Sequence, residues 1–355
     1  MQLGILGLPK SGKTTLFNTL TASQQATDKF AASAQTNMGT ATVRDVRLEQ
    51  LRDLFNPKRY VPATVQYVDI PGMKRGESAE SLDLAKLKTV DALVHVVRAF
   101  EDPEILHPEG SLDPARDVAM LDLELILADH DLVERRLDRL EKSSKRGLNP
   151  EEQREKALLG DVILPALEAE TPLREVTLEP DDERRLRGFQ LLSAKPMLIV
   201  VNVGEERAGE GVADLGLVLR PAVSAVVVSA PIEQDISAMP PEEQKEFLAD
   251  LGLAEPSLDR VNRASYELLG LIAFFTVGED EVRAWTIRRG TKAREAAGTI
   301  HSDIERGFIR AEIVPWDDLV RLKTMAACSK AGLTRLEGKE YEMKDGDVVH
   351  FRFNV

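Results

Sequence analysis

The chain of 355 residues contains one cysteine, Cys328. A single thiol excludes a disulfide framework within the chain and suits a reducing, cytoplasmic compartment. Long apolar runs are also missing. The longest, such as MLIVV at 197–201, fall far short of the roughly 20 residues that a membrane-spanning helix needs. The opening MQLGILGL has no basic leader and no cleavage site, so no signal peptide and no membrane association are expected. Positive charge is in deficit as well: 46 Lys+Arg against 60 Asp+Glu give a net charge of −14. That excludes the broad basic footprint of a general nucleic-acid binder, and no DNA partner is expected. The deficit is uneven. Residues 1–270 hold 32 Lys+Arg and 46 Asp+Glu, whereas residues 271–355 hold 14 of each. Any contact with RNA is therefore assigned to the C-terminal part.

What is present is a globular composition, 43% hydrophobic and 30% charged, long enough for two or three domains. Short apolar runs recur as buried strands: QLGIL at 2–6, TVQYVD at 64–69, ALVHVV at 92–97, MLIVV at 197–201 and AVVVS at 225–229. Helical patterns such as TTLFNTLTA separate several of them, which predicts an α/β domain with a mostly parallel sheet. About 100 residues part the strands at 92–97 and 197–201, far more than an ordinary crossover needs. Val133, Leu137 and Leu140 fall at helical spacing there, Asn149 and Pro150 form a helix start, and EEQREKALLGDVILPALEAE returns as a second helix. An inserted antiparallel helical hairpin, a coiled-coil arm over 131–190, is expected; an extra helical layer on the α/β domain is the alternative. From 271 the runs LIAFFTV, VRAWTI, RAEIV and VVHFRFNV, with the helical REAAGTIHSDIERG between them, predict a small β-rich domain over 271–355. The α/β domain then comprises 1–130 and 191–270.

GLPKSGKT at 7–14 follows a strand and opens a helix, which is the context a P-loop requires. Gly7 and Gly12 let backbone N–H groups turn toward phosphate oxygens, together with Pro9, Lys10, Ser11 and the helix-opening Thr15. Lys13 can reach the β- and γ-phosphates, and the Thr14 hydroxyl can ligate Mg²⁺. DIPG at 69–72 supplies a second half: Asp69 ends a strand where its carboxylate can hold Mg²⁺ through water, and Gly72 can bring its N–H to the γ-phosphate. Glutamine is absent from the next position, where Ras-type switches use it to orient the attacking water. Met73 stands there, and a thioether cannot take a water proton. After the strand MLIVV come Asn202, Val203, Gly204 and Glu205, where guanine switches carry Asn-Lys-x-Asp. The lysine that packs over guanine is missing and the carboxylate is one methylene longer, which favours ATP over strict GTP specificity.

Taken together, the sequence resembles the YchF-type (Obg-like) ATPases, P-loop NTPases with a C-terminal TGS domain. The resemblance covers nearly the whole chain and rests on GLPKSGKTTLFNTLT, VDIPGM, ALVHVVRAFED, VNVGE, VVVSAPIE, FFTVGEDEVRAWTIRRGTKAREAAGTIHSDIERGFIRAEIVPWDDL and DGDVVHFRFNV. It implies a G domain carrying a helical arm, a C-terminal β-grasp domain, ATP as substrate and Mg²⁺ as cofactor. It also implies a slow nucleotide-dependent switch, a monomer, with a ribosome or RNA–protein partner reached through the arm and the TGS-like domain. Asn202 and Glu205 match the family's base motif, and Ser229 and Ala230 its last base-side loop. A hydrophobic residue at the glutamine position is matched by Met73, and a histidine after VVRAFED is implied in hydrolysis, which points to His107. By residue type alone His107 reads as a solvated loop histidine. Neutral imidazole can nonetheless position a water at pH 7. His95 reads as a packed core residue, and His301 and His350 as structural. Lys10 replaces the asparagine linked to potassium activation in relatives, which argues against potassium stimulation. Ser33 aligns with the family's switch threonine as a metal ligand, ahead of Thr36. An Obg-type GTPase and a nucleotide-binding adaptor with negligible turnover are the alternative functions.

Overall fold

A computed structural model of the chain describes residues 1–21, 37–71, 84–144 and 147–354. In chain order its main elements are β1 (Gln2–Leu6), α1 (Lys13–Thr21), β2 (Asn37–Val43), α2 (Val46–Phe55), β3 (Arg59–Val61), β4 (Ala63–Asp69), α3 (Leu84–Thr89), β5 (Ala92–Ala99) and α4 (Pro114–Ser144). They continue with α5 (Pro150–Leu158), α6 (Leu164–Glu168), α7 (Pro180–Leu186), β6 (Met197–Val203), β7 (Val223–Val228), α8 (Ala230–Ala238), α9 (Pro241–Asp250) and α10 (Ser257–Leu268). The last stretch holds β8 (Leu271–Thr276), β9 (Glu281–Arg288), α11 (Ala293–Ile300), α12 (Ser302–Arg306), β10 (Phe308–Pro315), α13 (Trp316–Leu322), α14 (Met325–Lys330), β11 (Arg335–Glu337) and β12 (Asp347–Phe353). Two compact units result: Met1–Gly39 with Gln66–Val261, and Thr40–Val65 with Asn262–Val355.

The first unit is built on a sheet of order β2-β4-β1-β5-β6-β7. The pairs β1/β4, β1/β5, β5/β6 and β6/β7 are all parallel. Parallel strands covered on both faces need apolar residues at nearly every position, and β5 and β6 are buried along their whole length. The chain leaves β1, passes to β4 on one side and then crosses to β5 on the other. The carboxyl end of β1 is thus the point where strand order reverses, where open α/β sheets form their ligand crevice.

The long helix α4 begins at Pro114, well before the expected start at 131, because ARDVAMLDLELILA keeps the helical spacing of apolar residues. Its first half puts Leu121 and Leu125 into the core above the sheet. Its second half puts Ile126, Val133 and Leu140 into a separate core with Leu158, Leu159, Ile163 and Leu167 of the returning segment. One helix therefore serves both a covering layer and one side of a helical hairpin. Asn149 caps α5 with a reciprocal bond pair to Glu152, and Arg136 on α4 pairs with Glu155 on α5. The α4 helix is tied by buried acids to the segment that leads into β6: Asp129 accepts from the N–H groups of Leu192 and Ser193 and from the Ser193 hydroxyl, and Asp122 pairs with buried Arg174.

In the second unit the sheet order is β11-β10-β12-β8-β9-β3. Strands β8/β9 and β10/β12 are antiparallel, whereas β12/β8 are parallel. Helix α11 sets Ala293, Ala296 and Ala297 against Phe274, Ile313 and Phe351 of this sheet, which is a β-grasp arrangement. The grouping of residues differs from the division expected from sequence. Strand β3 pairs with β9, Leu48 and Leu51 of α2 are fully buried, and Arg47 binds Asp345 while lying over the Phe275 ring. The stretch from α2 to β3 is thus packed with the C-terminal strands, through pairings more than 200 positions apart that no local pattern announces. Among the described residues no helix is long and apolar enough to cross a membrane.

Candidate nucleotide site

At the carboxyl end of β1 the chain turns sharply with Gly7 at φ +148° and Gly12 at φ +91°. Neither position tolerates a side chain. A Cβ on Gly7 would sit 2.3 Å from the Val96 carbonyl oxygen, and one on Gly12 would sit 2.2 Å from Asn202 Nδ2. Lys10 adopts φ +63° without being glycine, a left-handed conformation that costs about 1–2 kcal/mol for such a residue. The loop is tightened from within: Lys13 Nζ donates to the carbonyls of Gly7 (3.0 Å) and Leu8 (2.7 Å). Lys13 is buried, and burial pushes its ammonium down to about 8 against the pull of Asp69.

Thr14, beside Lys13, donates its hydroxyl to Asp69 Oδ2 at 3.3 Å. Asp69 closes β4 and is 4% exposed. Burial raises its carboxyl, while Lys13 and Thr14 lower it. A buried carboxylate touching a hydroxyl at the mouth of a phosphate loop is the donor set a hard cation takes, and Thr14 with Asp69 fits Mg²⁺. Gly72, Met73 and Ser33, assigned from sequence to the γ-phosphate, the glutamine position and the metal, lie outside the described residues.

On the base side, Asn202 does the joining. Its Nδ2 donates to Ser11 O (3.0 Å) and its Oδ1 accepts from Ala230 N (3.2 Å), so the phosphate loop, the end of β6 and the start of α8 are tied by one amide. The Ser11 and Ser229 hydroxyls beside it are buried and have no hydrogen-bond partner among the described residues. Val203 is 1% exposed and points into the core, so its side chain is not part of a base platform. Glu205 is exposed, at the first turn after Gly204. Pro9 and Thr15 lie half-buried in the loop and its helix, and Thr15 O accepts from Thr19.

His107 is not a solvated loop residue. Its side chain is 5% exposed; Nε2 lies 3.0 Å from Asp117 Oδ2, and Nδ1 accepts the Glu109 N–H at 3.1 Å. Two residues that carried no role in the sequence organise this loop. Arg98, at the end of β5 and in register with Asn202, donates to Phe100 O (3.1 Å) and Ile105 O (3.0 Å) and stacks on Phe100. Asp117, in the first turn of α4, is held by Arg116. The Arg of VVRAFED was visible as part of a motif, but nothing in the sequence says which carbonyls it would reach. His95 and His301 have structural places. His95 is buried in β5, where burial drives it down to about 3 and keeps it neutral, and His301 caps α12 by accepting Asp303 N–H.

A P-loop at a strand switch point, a buried Lys–Thr–Asp cluster and an asparagine tying the base side define a nucleotide-binding protein of the G-domain class. The model "50S ribosome-binding GTPase" matches residues 2–136, and YchF-GTPase_C, described as a protein of unknown function (DUF933), matches 271–354. The chain is 43% identical to "Ribosome-binding ATPase YchF" of Bacillus subtilis and 40% identical to that of Escherichia coli O157:H7, each alignment covering 99% of both chains. Among solved structures it is similar to the Schizosaccharomyces pombe YchF GTPase, with a TM-score of 0.86, 32% identity and coverage of 99% of this chain and 97% of that one. The chain belongs to the YchF family.

Proposed function

We propose that this protein is a magnesium-dependent ATPase that works as a slow nucleotide-dependent switch on the ribosome, in the cytoplasm and as a monomer. The reading is carried by the joined Lys13–Thr14–Asp69 and Asn202 geometry, and by full-length relatives whose names state ribosome binding and ATPase activity. Lys13 holds the negative charge of the β- and γ-phosphates, and the curled backbone from Gly7 to Gly12 presents N–H groups to them. Thr14 and Asp69 would hold Mg²⁺, which when bound neutralises charge developing between the phosphates; Ser33 is the proposed further ligand and Gly72 the γ-phosphate contact. Asn202 keeps the base-side loops in register, and Ser229, Ala230 and Glu205 border the base. The absent lysine at Val203 and the exposed Glu205 favour adenine.

His107 is the proposed water-positioning residue, because Met73 cannot act and positioning dominates phosphoryl transfer. The test is phosphate release from ATP by the purified protein, alone and with ribosomes. Slow turnover lost in Lys13→Ala, together with nucleotide-dependent co-sedimentation with ribosomes, supports the proposal. Absence of turnover in both conditions would reduce the protein to a nucleotide-binding adaptor.

A further inference from the structure

His107 is held in a position from which it cannot serve a water. Its Nδ1 lone pair is taken by the Glu109 N–H, so the ring's own N–H is on Nε2. That nitrogen faces Asp117 Oδ2 at 3.0 Å, yet off the line of a hydrogen bond. With the ring 5% exposed, neither nitrogen is offered to solvent. The carboxylate that faces it is itself fixed. Asp117 is 2% exposed, its Oδ1 accepts twice from Arg116 (3.0 and 2.8 Å), and Arg116 also binds the Ser111 carbonyl and hydroxyl. Upstream, Arg98 holds the loop at Phe100 and Ile105.

We infer that Asp117 is a latch that keeps His107 in an idle position, and that release of this contact raises turnover. The inference rests on the proposed role of His107 in hydrolysis. A buried, misaligned N–H contact is a weak bond, which suits a part that must open. The latch also sits where it can be pulled. Asp117 is in the first turn of α4, and the same helix carries Val133 and Leu140 in the hairpin core. A partner that displaces the hairpin acts on Asp117 through one continuous helix. Asp117 is thus a positioning residue, coupling the arm to the histidine rather than touching the nucleotide.

The test uses the full chain with Asp117→Asn, which keeps the shape and removes the charge, and Arg116→Gln as a second variant that loosens the carboxylate without altering it. Basal ATP turnover is expected to rise about two- to threefold in Asp117→Asn, the effect of losing one contact at the weak end of hydrogen-bond strength. KM should be unchanged, and the gain should vanish when His107→Ala is added. A second readout does not depend on activity: modification by diethylpyrocarbonate, mapped by mass spectrometry, should be slow at His107 in the unsubstituted chain and approach that of exposed His301 in Asp117→Asn. Unchanged modification of His107 in both variants overturns the latch. So does a fall of Asp117→Asn turnover to the His107→Ala level, since Asp117 would then orient an active histidine. Faster modification with turnover unaffected by either Asp117→Asn or His107→Ala keeps the latch but overturns the catalytic role of the histidine.

Discussion

Lys13 shows how one residue can serve the loop before it serves the ligand. Its ammonium holds the Gly7 and Leu8 carbonyls, and burial brings it down to about 8. Bound polyphosphate favours the charged form and raises that value. Above pH 8 the free protein is increasingly deprotonated at Lys13, so binding must take up a proton there. Apparent ATP affinity is therefore expected to fall as pH rises beyond 8, approaching about tenfold per pH unit. Below pH 8 Lys13 contributes no such slope. Calorimetry in buffers of different ionisation enthalpy checks this, and net proton release at the higher pH would contradict it. Asn202 offers a second test at this scale. Asn202→Ala leaves Ser11 O and Ala230 N, both now paired through it, without partners, at a cost of about 1–3 kcal/mol each where buried. Weakened nucleotide binding of tenfold or more is expected by the same arithmetic. The turn of the P-loop and the meeting of Thr14 with Asp69 were legible from spacing, because glycine geometry and a Lys-Thr pair leave few other uses. Asp117 and Arg98 were not, because their roles depend on which atoms the fold brings to them.

At the scale of elements, α4 is the part where sequence and structure diverge most usefully. The helical spacing of Val133, Leu137 and Leu140 announced a helical pair, and the Asn149-Pro150 start of the returning helix is present with its full capping box. The beginning of α4 was hidden because Leu121 and Leu125 continue the same periodicity while packing on the sheet; a period does not say which surface receives it. Removal of packing in the hairpin should destabilise it locally. Leu159→Ala or Ile163→Ala, both at fully buried positions, should lower unfolding free energy by about 2–5 kcal/mol, measured by denaturant titration. The exposed cap is a milder lever, and Asn149→Ala should lower it by about 0.5–2 kcal/mol. If the buried substitutions were silent, the hairpin core as described would be wrong.

At the scale of the whole molecule, the two compact units are not continuous in sequence, and this was the least legible feature. Residues 40–65 carry ordinary strand and helix signals, and only β3 beside β9 and Arg47 on Asp345 reveal their company. Asp345 also accepts the Ala273 N–H at 2.9 Å. Asp345→Ala should therefore destabilise the C-terminal unit by about 1–2 kcal/mol, the lower range being set by its partial exposure.

The central claim concerns the ligand of the first unit: a P-loop site whose base side, bordered by Asn202 and Glu205 and lacking the lysine of Asn-Lys-x-Asp, is proposed to take adenine. Calorimetric titration of the full chain with ATP and with GTP, each with Mg²⁺, tests it most directly. Tighter binding of ATP is predicted; tighter binding of GTP would contradict the account.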